Sequence, residues 1–92
     1  MIYDDDGAIS DPGTLLAISN EIIIIDNQQA GWVDLTFSNL ISLTPGDYWL
    51  GFILDGNSNI IRFYSDSSGG FFRGNADPYS DGPSNPFGTP AI

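Results

Sequence analysis

The side chains able to do chemistry in this chain are almost all oxygen donors. Its 92 residues hold 12 Asp plus Glu against two cations, Arg62 and Arg73, with no Lys, His or Cys. The usual general base, thiolate nucleophile and Schiff-base amine are therefore missing. What remains is Asp, Glu21, Ser, Thr and Tyr. Two carboxylates could hydrolyse a glycoside, but the single Glu abuts an isoleucine run and the Asp residues fall in turn-rich segments. The chain reads as non-enzymatic.

Clustered carboxylates suit a hard cation better than they suit catalysis. Asp4, Asp5, Asp6 and Asp11 crowd one segment beside Gly7, and Asp77 and Asp81 form a smaller group. Asp4, Asp6 and Asp11 are the calcium candidates. The EF-hand order is absent, because its sixth-position Gly is replaced by Ile9 counted from Asp4 and by Ile60 counted from Asp55. Turn chemistry with solvated charge is the simpler reading, so no cofactor is expected, with calcium as the one alternative.

Sugar recognition would use exposed aromatic faces with neighbouring hydrogen-bonding groups. Trp32, Trp49, Tyr48, Tyr64, Phe72 and Tyr79 supply the rings. Tyr48 and Trp49 read as core. Tyr64 and Arg62 share a strand face and, with Tyr79 and Asn57, form the candidate carbohydrate site; Asn59 is a further donor. The competing reading makes Arg62 and Arg73 structural, each paired to an Asp or stacked on a ring.

The formal net charge of -10 repels phosphate backbones, and the basic patch that nucleic-acid binding needs is absent. Anionic membrane surfaces are disfavoured for the same reason. No apolar run approaches the roughly 18 residues of a membrane-spanning helix. Without Cys there is neither a disulfide framework nor a thiolate metal site. An apolar share of 41% argues for a chain that folds, and the length suits one domain over residues 1–92.

The elements that must position these groups are short strands. No long window repeats apolar residues at helical spacing, while Gly, Pro, Asn, Asp and Ser recur about every ten residues. Met1–Tyr3 reads as a strand leading into a loop over residues 4–14, where Asp11-Pro12-Gly13 supplies a tight turn with Gly13 at positive φ. Leu15–Ser19 is extended or one irregular turn. The Ile22–Ile25 run suits a strand covered on both faces or paired at an interface. Val33, Leu35 and Phe37 share one face of a half-buried strand over residues 32–37. Tyr48–Leu54 is apolar on both faces, with Gly51 leaving room for a large neighbour. A hairpin loop at residues 55–59 joins it to an antiparallel strand at 60–64, and Phe71–Arg73 forms a last short strand. Residues 74–92 read as an irregular tail pinned by Tyr79 and Phe87. About six antiparallel strands imply an all-β, jelly-roll-like β-sandwich.

Four stretches occur in a familiar order: Ile2-Tyr3, then Pro12-Gly13-Thr14-Leu15-Leu16-Ala17, then Gly31-Trp32-Val33, then Leu43-Thr44-Pro45-Gly46-Asp47-Tyr48-Trp49-Leu50. Tyr79-Ser80-Asp81-Gly82-Pro83 follows them. Together they resemble a β-sandwich accessory module of bacterial and phage-like secreted or surface proteins. The resemblance covers roughly residues 2–88 and implies an extracellular or particle-surface setting, but its motifs are structural and carry over no catalytic set. In that pattern further strands precede Ile-Tyr, which implies an incomplete sandwich. The expected partner is a second copy or another protein chain that supplies strands, with Ile2, Ile22 and Ile24 as interface candidates. The alternative partner is carbohydrate.

Overall fold

A computed structural model describes residues 1–25, 27–55 and 72–91. Among these, regular structure is confined to β1 (Ile2–Asp4), β2 (Leu15–Ala17), β3 (Tyr48–Leu50) and one 3-10 turn at Tyr79–Asp81. The strands form a single antiparallel sheet in the order β2-β1-β3. The described chain is thus all-β in character and contains no α-helix.

Hydrogen bonds beyond the strand ends lengthen both ladders. Gly13 N donates to Asp4 O and Asp4 N to Thr14 O, each at 2.9 Å. On the other side Gly51 N donates to Met1 O at 2.9 Å, and the Met1 ammonium to Gly51 O at 3.1 Å. β1 is therefore flanked along both edges, so Ile2, an interface candidate, offers no open edge of its own.

The register sorts side chains onto two faces. Tyr3 pairs with Trp49 and with Leu15, which places these three together. Ile2 pairs with Leu50 and with Ala17, and Asp4 with Tyr48, on the opposite face. A bulge lies between the two β1–β2 pairs, where Leu16 is the extra residue. Tyr3 is 1% exposed and, with Ala17, makes up the fully buried apolar core of the described chain.

Residues 74–91 cover the Tyr3 face. The Phe87 ring meets Tyr3 edge-on with centroids 5.3 Å apart, and Tyr3 Oη donates to Ser84 O at 2.7 Å. Phe87 N donates to Gly13 O at 2.9 Å and Leu15 N to Asn85 Oδ1 at 3.1 Å. Phe87 is thus a tail anchor, as its apolar ring among Gly, Pro and Asn suggested. The Asn85–Pro86 peptide bond is cis.

Several expected strands are not formed. Residues 22–25 and 32–37 run without strand pairing, and β3 stops at Leu50 rather than Leu54. Alternation of apolar residues marks a face that wants cover, but a strand exists only where a neighbour completes its ladder. Ahead of the first segment, Asn20 N donates to Thr36 O at 2.7 Å, Asn20 Nδ2 donates to Thr36 Oγ1 and Ser38 Oγ donates to Asn20 Oδ1. The expected hairpin over 55–59 falls mostly outside the described residues, and the strand at 60–64 entirely so. Phe72 and Arg73, from the last expected strand, are irregular.

The loop at 4–14 turns elsewhere than expected. Positive φ falls at Ile9 (48°) and Ser10 (58°), not at Gly13. Gly13 is needed for close approach instead: a Cβ there would lie 2.6 Å from Gly7 N. At Gly7 it would lie 2.6 Å from both Asp11 O and Pro12 O. Gly51 does admit a large neighbour, since a Cβ there would meet Met1 Cε at 2.9 Å. A methionine tip can swing aside, whereas backbone cannot. Gly7→Ala and Gly13→Ala should each cost about 1–3 kcal/mol in chemical denaturation, and Gly51→Ala under about 1 kcal/mol. Equal losses at all three positions would refute this account of the loop.

Candidate functional site

The charged residues gather where the 4–14 loop, β3 and the start of the tail meet. Trp49 Nε1 donates to Asp5 Oδ1 at 2.7 Å. The Arg73 guanidinium lies 5.8 Å from the Trp49 ring centroid and donates through Nε to Asp11 Oδ1 at 2.7 Å. Arg73 Nη1 also donates to Phe72 O at 2.9 Å. A chain of contacts, Asp5 to Trp49 to Arg73 to Asp11, thereby clamps three separate segments. Both structural roles considered for Arg73, pairing and stacking, are present together, and Trp49 and Tyr48 are half-buried.

Asp4, Asp6 and Asp11, the calcium candidates, each have a different engagement. Asp4 Oδ1 accepts from Asp5 N at 2.9 Å. Asp6 accepts from Thr14 N and Thr14 Oγ1, both at 2.6 Å. Asp11 holds Arg73. Among the described residues no three carboxylates come together in a group able to hold a metal ion.

Of the carbohydrate candidates, Tyr64, Arg62 and Asn57 lie outside the described residues. Tyr79 opens the 3-10 turn, and a hydrogen bond to Glu21 is the main cause of an upward shift in its phenol pKa. Its hydroxyl therefore faces a carboxylate. Trp32 is fully exposed at 102%. Among the interface candidates Ile2 and Ile24 are half-buried and Ile22 is exposed, while the neighbouring Ile23 reaches 89%.

Two shallow grooves accompany the clamp. One of about 310 Å³ lies between the 6–14 loop and residues 86–90, with Asp6 and Asp11 on its wall. The other, about 500 Å³, is lined by Asp5, Ser10, Asp47, Tyr48, Trp49 and Leu50. Asp5 follows β1, whose Asp4 pairs with Tyr48, so this groove lies at the end of the β1–β3 pair, where the 4–14 loop meets β3. Sequence reading counted Asp5 only within the acidic cluster of the 4–14 loop and did not single out Asp47. The available signal was Pro45-Gly46-Asp47, a turn that sets an acid just before an aromatic strand.

Comparison with family models, curated proteins and solved structures finds no match.

The two Thr14 donors, side chain first and backbone second, hold the Asp6 carboxyl below its ordinary pKa. A carboxyl depressed in the fold adds stability above its unfolded pKa of about 3.9, and that stability is lost as pH falls through the lower folded value. Thr14→Val removes the hydroxyl donor and keeps the backbone one. NMR titration of the Asp6 carboxyl should show its pKa rise, with the acid-unfolding midpoint moving to higher pH. An unchanged carboxyl titration would show that the hydroxyl does not hold the charge.

Proposed function

We propose that this chain is a non-enzymatic structural module, a jelly-roll-like β-sandwich in its assembled form, that joins other protein in an extracellular, fibre or particle-surface assembly. The observation that carries this reading is uncovered surface. Among the described residues large apolar side chains stand exposed, with Leu40 at 103%, Trp32 at 102%, Ile9 at 95% and Ile23 at 89%.

Part of this surface is ordered along the chain. Leu50, Phe52 and Leu54 are exposed, with Leu50 at 77%, whereas the alternate residues Trp49, Gly51 and Ile53 are half-buried. Ile23 and Ile25 are likewise more exposed than Ile22 and Ile24. The alternation sets one series of apolar side chains outward in each run, although neither run is paired as a strand beyond Leu50 among the described residues. Contiguous apolar surface of this kind marks interaction sites in soluble proteins. The surface setting rests on the resemblance of the Ile-Tyr, Gly-Trp and Tyr-Trp-Leu stretches.

Carbohydrate binding is the second reading, favoured by the full exposure of Trp32. Sizing and ligand binding separate the two. With the charge screened by salt, the chain should bind a hydrophobic dye and sediment above monomer mass as concentration rises. Ile23→Lys should lower both signals at least two-fold. A chain that remains monomeric and binds no dye overturns the assembly reading. Retention on a polysaccharide with quenching lost in Trp32→Ala would replace it with the sugar reading.

A further inference from the structure

We infer that Asp81–Gly82 is a self-modifying bond of the folded chain, one that converts to isoaspartate and so loosens the cover over Tyr3. The chemically identical Asp6–Gly7 is shielded by the fold.

An Asp-Gly sequence carries its own nucleophile. The glycine backbone nitrogen attacks Cγ of the protonated aspartyl carboxyl; an N–Cγ bond forms, a Cγ–O bond breaks, and the amide proton leaves with that oxygen as water. The resulting succinimide takes water back at one of its two carbonyls. Addition at Cγ restores aspartate. Addition at the backbone carbonyl breaks the original peptide bond and leaves the chain running through Cγ, as isoaspartate. Water is the only co-reactant, and glycine favours the reaction because no side chain hinders the approach. The step needs a carboxyl that can take a proton and a backbone free to swing its nitrogen toward Cγ.

The two bonds differ on both counts. At Asp6–Gly7 the carboxylate accepts from Thr14 N and Thr14 Oγ1, both at 2.6 Å, and these donors keep it ionised. Gly7 N donates to Asp11 O at 3.0 Å, and the residue is wedged so closely that a Cβ there would lie 2.6 Å from Asp11 O and Pro12 O. Neither group can move without opening the loop. At Asp81–Gly82 the carboxylate is exposed and accepts no hydrogen bond from the described residues. A Cβ on Gly82 would meet nothing within 4 Å, so the backbone has room to turn. Its N–H makes one bond, to Tyr79 O at 3.1 Å, at the end of a three-residue 3-10 turn. A single terminal turn opens far more readily than a bond inside a packed loop.

The place of Asp81 gives the reaction a consequence. Isoaspartate lengthens the main chain by one methylene inside the loop that Asp77 and Ser84 close, where Ser84 N donates to Asp77 Oδ2 at 2.7 Å. Ser84 O is also the acceptor for Tyr3 Oη at 2.7 Å, and Phe87 then lays its ring edge-on to Tyr3. A longer span between these anchors displaces the carbonyl on which the buried phenol depends.

The test ages the full chain at neutral pH, in buffer and in guanidinium chloride, then cuts it with chymotrypsin, which separates the two bonds because Tyr3, Tyr79 and Phe87 flank them. Isoaspartyl peptides keep their mass, shift in elution and resist endoproteinase Asp-N at the altered residue. In buffer Asp81–Gly82 should convert about ten-fold faster than Asp6–Gly7 or more, and in denaturant the two rates should agree within about two-fold. Thr14→Val should raise the Asp6–Gly7 rate in buffer and leave that of Asp81–Gly82 unchanged. Asp55–Gly56, whose glycine lies outside the described residues, is followed in its own peptide. Asp81→Glu keeps the charge and cannot close the five-membered ring, so it separates the effect of residue 81 from that of residue 55. Relative to its unaged form, the aged parent chain should unfold at lower denaturant, and the aged Asp81→Glu chain should shift less. Equal rates at the two bonds in buffer, or faster conversion at Asp6–Gly7, overturn the assignment. An Asp81→Glu chain that loses as much stability on ageing as the parent overturns the loosening of the Tyr3 cover.

Discussion

The fold depends on where Tyr3 is placed. It sits on the middle strand of a three-stranded sheet, nearly fully buried, and meets elements far apart in sequence. Its backbone joins β2 and β3, its ring takes the edge of Phe87, and its hydroxyl donates to Ser84 O. A buried phenol is costly without a partner, so the Ser84 carbonyl is what makes the burial tolerable. Burial is also the main reason the Tyr3 pKa is raised, opposed next by the hydrogen bond to Ser84 and aided last by the Asp77 charge. Full burial of a large side chain contributes about 1.5–3 kcal/mol, which in so small a core is a large share. Covering one ring takes the sheet and the 84–87 segment together, and so ties the end of the described chain to its beginning.

The excess of carboxylates is used as internal wiring. With only two cations in the chain, most acids cannot be satisfied by ion pairs. Asp5 instead accepts from an indole, Asp6 from Thr14 and Asp77 from Ser84 N at 2.7 Å. Charged acceptors make stronger hydrogen bonds than neutral ones, and each of these links residues distant in sequence or closes a loop. Asn75 plays a related part from its amide, donating to Phe87 O at 2.8 Å and Ser84 Oγ at 3.3 Å. The acids that might have suggested a cation site thus have work in holding loop to sheet and tail to itself.

How far this could be read from the sequence differs by element. β1 and the start of β3 were legible because Ile-Tyr and Tyr-Trp-Leu are strand formers bounded by turn residues. The tail anchor at Phe87 was legible because it is a large ring among polar neighbours. Residues 22–25 and 32–37 misled for a common reason: alternation and β-branching record the wish for a neighbour, and the neighbour itself is a long-range property. The turn at Ile9–Ser10 was hidden because a β-branched residue at positive φ runs against local preference, and the surrounding bonds from Asp4, Asp6 and Gly7 to residues 11–14 impose it. The clamp was half visible. Scarcity of cations implied that Arg73 would be engaged, but which Asp and which ring it met depended on three segments converging.

Exposed apolar side chains and carboxylates share the described surface. Burying apolar surface is favourable at about 25 cal/mol per Å², yet such sums do not convert directly to affinity because ordering and desolvation oppose them. Long-range electrostatics then becomes decisive, since apolar contact is indifferent to partner identity and charge is not. Asp5 and Asp47 line one groove together with Leu50, so acid and exposed apolar surface lie side by side there.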